Sequence, residues 1–165
     1  MEITYVYKEM DSPVGRLKLV ASLRGLAAVL WPGDKLDRVR VNSQIRDDGH
    51  AILLATEKQL GEYFAGTRRA FELPLDFNGS DFQKSVWQAL LQIPYGETRS
   101  YGQIARQIHR PKACRAVGAA NSKNPISIVA ACHRVIGASG ALTGFAGGIA
   151  TKVFLLDLES RVSSI

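Results

Sequence analysis

The chain has 165 residues, enough for one domain or two small ones with a real core. Hydrophobic residues make up 46%, which excludes a disordered chain, and two cysteines are too few for a disulfide framework or a cysteine-based zinc site. Lys and Arg number 21 against 15 Asp and Glu, a net charge of +6; that charge suits a polyanion such as nucleic acid, yet a merely basic soluble protein has it too.

The start, Met1-Glu2-Ile3-Thr4-Tyr5, lacks the basic and apolar regions of a secretory signal, so a soluble, reducing, cytoplasmic setting and no membrane contact are expected. Ile3 to Tyr7 is β-branched and aromatic and predicts a first strand. After the turn cluster Asp11-Ser12-Pro13-Val14-Gly15, the alternation of Leu17, Leu19 and Ala21 with polar neighbours predicts a second. Leu26 to Trp31 predicts a third, closed by Pro32-Gly33, so the three form an antiparallel meander. A charged stretch, Asp34 to Asp48, follows. Ile52, Leu53, Leu60, Tyr63 and Phe64 recur at near-helical spacing, and Gly66 stops that helix. Phe71 to Phe77 looks extended, with Pro74 barring a central strand position. A domain boundary is expected at Asn78-Gly79, separating 1–78 from 79–165.

The second half reads as mostly helical. Ser80-Asp81-Phe82-Gln83 has the form of a capping box, and Phe82, Val86, Leu90 and Ile93 share a face. Pro94-Tyr95-Gly96 ends that helix. Ser100 caps the next, Tyr101 to Ile108, and Pro111 stands in the first turn of a third, Lys112 to Ala120; the pair has the look of a helix-turn-helix. A last helix spans about Thr151 to Arg161. The expected class is α+β: a small antiparallel sheet with a helix, then a mostly helical domain with a winged helix-turn-helix-like motif.

The chemistry centres on Ser127 to Gly137, where Cys132 is followed at once by His133 and Arg134. Neighbouring cations or a histidine favour the reactive thiolate, whereas apolar burial alone leaves a thiol inert. In an extended strand adjacent side chains face opposite ways. Cys132 and His133 therefore meet only if the chain turns there or a water joins them. Lys112 to Ala120 is built from small residues and two cations, and Lys112 and Arg115 share a face. That face suits phosphates or a groove, and equally a tight helix–helix contact with solvated cations. Cys114 in the same helix reads as a packed thiol. Asn124 before Pro125 favours a turn that would hold the Cys132 segment. The glycine-rich stretch Gly137 to Gly148 follows; its main chain offers N–H and C=O groups to a flat polar ligand, and it lacks the Gly-x-Gly-x-x-Gly dinucleotide fingerprint. Glu159 is a carboxylate that could orient His133, although such a residue is more often at the surface.

Taken in order, Ile93-Pro94-Tyr95-Gly96, Ser100-Tyr101, Arg115-Ala116-Val117-Gly118, Asn124-Pro125, Cys132 to Gly137, Gly147-Gly148 and Glu159 resemble the O6-alkylguanine–DNA alkyltransferases. The resemblance is strong from Phe82 to Glu159 and weak in the first third. It implies Cys132 as acceptor thiol, His133 as its activator through a bound water, Glu159 as the carboxylate orienting His133, and Asn124 as brace of the active-site turn. Tyr101 would help to flip the base and Arg115 would fill the gap left in the duplex. Lys112, Ala116, Gly118 and Ser122 would lie on the DNA-facing surface. Val135, Phe145, Ala146 and Gly147 would form the base pocket, with main chain near Val135 and Ala146 reading guanine. The implied partner is double-stranded DNA carrying O6-alkylguanine, bound through the minor groove by a monomer, with cooperativity along DNA open, and with no cofactor or metal.

Two positions depart from the family pattern. Ala131 stands where proline usually precedes the cysteine, which loosens the turn, and Phe145 stands where many members carry tyrosine. The zinc site of some relatives is not expected, since no cysteine precedes Cys114. Two other readings stay open here: an alkyltransferase-like binder of damaged DNA, and a cysteine hydrolase.

Overall fold

The computed structural model describes residues 4–42 and 44–164. Ile3, where the first predicted strand begins, lies outside them. Three strands, β1 (Tyr5–Met10), β2 (Leu17–Ala21) and β3 (Leu26–Leu30), form the antiparallel meander that the alternation predicts. The sheet is not wholly antiparallel, however. A three-residue strand β4 (Gln44–Arg46) joins β1 in parallel, giving the order β3-β2-β1-β4. It lies inside the charged stretch, on the sheet edge, with Ile45 61% exposed, so no apolar alternation marks it. Phe71 to Phe77 contributes only an isolated bridge, Leu75 to Leu26.

Helix α1 (Ala51–Phe64) buries Leu53, Leu60 and Tyr63 against the sheet side of the core. Helices α2 (Asp81–Leu91) and α3 (Tyr101–Gln107) each start at a complete capping box, Ser80 with Gln83 and Ser100 with Gln103. Helix α4 begins at Cys114 rather than Lys112 (Cys114–Ser122), because Pro111 and Lys112 sit in the turn before it. His109 makes that turn with a φ of 61°. Helix α5 (Ile149–Ser163) closes the chain.

Two apolar clusters share the segment 126–135. Ile126, Ile128 and Val129 pack with the sheet, α1 and α5, while Ala130, Cys132 and Val135 pack with α2, α3 and α4. Burying each larger aliphatic side chain contributes about 1.5–3 kcal/mol, so both sides hold this segment. Val29 of β3 donates its N–H to Pro125 O at 2.9 Å, and Val29 bridges to Ile126. A parallel pair, β5 (Arg99–Ser100) and β6 (Val135–Ile136), ties the residues after Cys132 to those before Tyr101. Among the described residues no helix is long and apolar enough to cross a membrane.

Candidate functional site

Of the two possibilities the sequence left open around Cys132, the chain turns there rather than continuing as a strand. Residues Cys132–Arg134 form a single 3-10 turn and only Val135–Ile136 is extended. The turn removes the opposite-face problem that a strand would impose on neighbouring side chains. It is held from behind by Asn124, whose Nδ2 donates to Ala130 O at 2.8 Å and whose Oδ1 accepts from Ile126 N at 3.1 Å. Between the two bonded residues Ile128 has a φ of 73°, a region a β-branched residue enters only at a cost of about 1–3 kcal/mol. Arg38, itself paired with Asp34 at 2.6 Å, donates to Asn124 O at 2.9 Å and so fixes the clamp to the first half of the chain.

Cys132 is 4% exposed and His133 fully buried. His133 Nε2 lies 2.6 Å from Glu159 Oε2. Facing a carboxylate, Nε2 carries the proton, so Nδ1 of the neutral ring is an acceptor; it has no protein partner among the described residues. Glu159 is not a surface glutamate but 1% exposed at the foot of α5. Its carboxylate accepts from Arg134 Nε at 2.7 Å and Nη2 at 3.0 Å, from Tyr63 Oη at 2.6 Å and from Gly96 N at 3.2 Å. Gly96 has a φ of 79°, a conformation that favours glycine, and a Cβ there would crowd the Ser163 side chain, so glycine suits the position that brings its N–H to the carboxylate. Burial alone would raise the Glu159 carboxyl, yet the bonds from His133 and Arg134 pull it down to about 2. Burial lowers His133 against the pull of Glu159, keeping the ring neutral.

The thiol itself is pushed up by burial. The Asn124 side chain, the charges of Arg38 and Lys152, and Ser127 act in the opposite direction. Lys152 is fully buried, and its Nζ donates to Val135 O at 2.6 Å. No anionic side chain balances that charge at hydrogen-bond distance among the described residues, and burial lowers its pKa.

Six of the remaining expected site residues line two clefts. Tyr101, Arg115 and Gly118 line an open groove of about 510 Å³, together with Thr143, whose hydroxyl bonds to Tyr101 Oη. Cys114 lines this groove and is exposed, not packed as its place in a small-residue helix suggested. Ser122, Phe145 and Ala146 line a second cleft of about 450 Å³ with Lys35, Arg38 and Lys123. Lys112 and Ala116 are exposed. Gly147 abuts Trp31, where a Cβ would lie 2.8 Å from the ring, and Phe145 stands edge-on to the same indole at 5.5 Å. Of the main-chain groups near Val135 and Ala146 expected to read guanine, the Val135 carbonyl accepts from the Lys152 ammonium.

Tyr63, Arg134 and Lys152 escaped the sequence reading as site residues. Lys152 left a trace: with Leu155 and Glu159 it falls on one helical face, an odd place for a lysine. Tyr63 left none, since it reads as one more apolar position of α1.

Comparison with known proteins bears on this arrangement. A family model described as the 6-O-methylguanine DNA methyltransferase DNA binding domain matches residues 81–161, and one described as the ribonuclease-like domain of the same proteins matches residues 5–77. A methylated-DNA–protein-cysteine methyltransferase of Mycolicibacterium paratuberculosis is 51% identical over 159 residues, 95% of this chain and 93% of its own. One of Methanosarcina acetivorans is 46% identical over 153 residues, 93% and 97% of the two chains. The crystal structure of Mycobacterium tuberculosis OGT in complex with DNA superposes with a TM-score of 0.85 at 47% identity, covering 96% of this chain and 94% of that one.

Proposed function

We propose, for a chain that belongs to the 6-O-methylguanine DNA methyltransferase family, that it repairs DNA by moving the alkyl group of O6-alkylguanine irreversibly onto Cys132. The observation that carries this reading is the buried His133–Glu159 pair in the turn that presents Cys132. The thiol proton passes through one water to His133 Nδ1, the ring nitrogen without a protein partner, and Glu159 steadies the imidazolium that results. The sulfur attacks the alkyl carbon. A C–S bond forms, the bond from that carbon to guanine O6 breaks, and the proton returns to guanine. Tyr101 and main-chain N–H groups stabilise the departing oxygen. The thioether is not an acyl bond and water does not free it, so each chain repairs one lesion.

A base inside stacked DNA is out of reach, so the nucleotide is flipped out at a cost of a few kcal/mol. The helix pair α3 and α4 enters the minor groove, where Arg115 fills the vacated stack and Lys112, Ala116, Gly118 and Ser122 follow the backbone. The exposure of Lys112, Arg115, Ala116 and Ser122, with Gly118 half-buried among them, supports that placement. Val135, Phe145, Ala146 and Gly147 wall the base site. Residues 1–78 and 79–165 act as two domains of a cytoplasmic monomer, the second holding both DNA contacts and acceptor. Mixing the protein with excess duplex carrying one O6-methylguanine tests the reading: lesion loss saturates at one per chain. Continued turnover would mark a hydrolase-like enzyme, and binding without lesion loss a non-catalytic sensor.

A further inference from the structure

We infer that Tyr63, on α1 in the first half of the chain, is a positioning residue of the Cys132 relay, and that through it the first half tunes the basicity of His133. The inference rests on the reading of Cys132 as acceptor only for its importance to repair. Its support is geometric. The Tyr63 side chain is fully buried, and its hydroxyl donates to Glu159 Oε2 at 2.6 Å across 96 positions of sequence. Oε2 is the same oxygen that His133 Nε2 approaches at 2.6 Å. Three donors therefore share one oxygen: His133, Tyr63 and Arg134 Nη2. A carboxylate oxygen divides its charge among its donors, so each one present weakens the hold of Glu159 on the imidazolium proton.

The surroundings leave the hydroxyl one role. Tyr63 packs edge-on to Phe64 at 5.5 Å and to Tyr95 at 6.2 Å, and tilted on Phe71 at 5.7 Å. These contacts would suit a phenylalanine equally. Burial beside Glu159 keeps the phenol protonated, as a permanent donor. Among the described residues, the titratable and charged groups around the relay are Glu159 and Lys152 on α5, Arg134 and Cys132 in the turn, Tyr95 after α2, Arg38 facing Cys132 and Arg69 over the Tyr95 ring. Among the described residues, Tyr63 is the only group bonded to Glu159 that comes from the first half of the chain.

Tyr63→Phe removes the hydroxyl and keeps the packing. Cys132 reactivity is read as the pH profile of its carboxamidomethylation by iodoacetamide, by mass of the Cys132 peptide, with exposed Cys114 as internal reference. The expected result is that the acid limb at Cys132 moves to higher pH, because His133 then keeps its proton longer. The change is about threefold or more in relative rate on that limb, as half a pK unit gives, while the Cys114 profile stays put. Phe64→Leu loosens the same packing without touching the hydroxyl and leaves the Cys132 limb in place. A limb that Tyr63→Phe does not move, or that Phe64→Leu moves equally, overturns the inference. If Tyr63→Phe fails to fold, the parent protein decides by proton NMR. A slowly exchanging Tyr63 hydroxyl resonance that shifts as His133 titrates supports the role, and its absence refutes it. Methyl transfer from O6-methylguanine DNA is scored separately. Its failure in the parent would sink the repair reading while leaving the limb shift to judge Tyr63.

Discussion

Glu159→Gln puts a number on the buried relay. The carboxyl is held down at about 2 against an ordinary 4.5, and at about 1.4 kcal/mol per pK unit the difference is worth about 3 kcal/mol. Glutamine mimics the protonated acid in shape, but one of its two ends becomes an NH₂ facing donors from Arg134, Tyr63 and His133. Arg134 is then left buried without its counter-charge, which costs several kcal/mol in comparable pairs. The variant is expected to lose about 3 kcal/mol at pH 7, measured by urea unfolding followed by tryptophan fluorescence. A carboxyl whose folded pKa is depressed stabilises fully above its unfolded value. The gap between parent and variant therefore holds above about pH 4.5 and closes as the pH falls through 2. The other carboxylates are common to both proteins and cancel. A gap that stays constant down to pH 2, or is below about 1 kcal/mol at pH 7, would refute the charged, clamped Glu159 described here.

Ala131→Pro is expected to fold, since the φ of −82° at this position is close to what a proline ring imposes. It should raise the methyl-transfer rate by stiffening the turn before Cys132; an unchanged rate counts against that view of Ala131. Lys152→Met removes the buried charge that favours the Cys132 thiolate, so the iodoacetamide profile of Cys132 should move to higher pH, with about threefold to tenfold slower reaction at pH 7; an unmoved profile contradicts it. Arg115→Ala is expected to slow transfer from duplex DNA by about tenfold or more, the scale of losing part of the unstacking compensation, while leaving the iodoacetamide rate of Cys132 untouched; equal rates on duplex substrate would remove Arg115 from base flipping.

What was legible in the sequence is what depends on neighbours along the chain. The Ser80 capping box, the Ser100 cap and the three-strand meander follow from local pattern, and they appear within a few residues of the expected positions; that Ser100 also forms a full box with Gln103 is seen only in the structure. The short strand β4 was hidden because its pairing with β1 is set by register, not by alternation. Whether the segment 127–137 stays extended or turns at Cys132 is undecided by the residues alone for a different reason. Its apolar residues are buried on two sides of a folded turn, and burial on both sides leaves the same run of apolar letters as a central strand. Cys132 and His133 announced themselves by adjacency. Glu159 needed the resemblance, and Arg134 and Tyr63 became site residues only once α1, α5 and the turn were seen to converge on one carboxylate. Cys114 shows the opposite error: small neighbours suggested packing, and the helix turns that face to solvent.

The central claim is that one sulfur, Cys132, accepts the alkyl group and keeps it. Peptide mass mapping after incubation with O6-methylguanine duplex tests it most directly. The account predicts that the Cys132 peptide gains the mass of one CH₂, up to one per chain and stable to prolonged incubation, while the Cys114 peptide is unchanged. A methyl found on Cys114, or lesion loss with Cys132 unmodified, would contradict it.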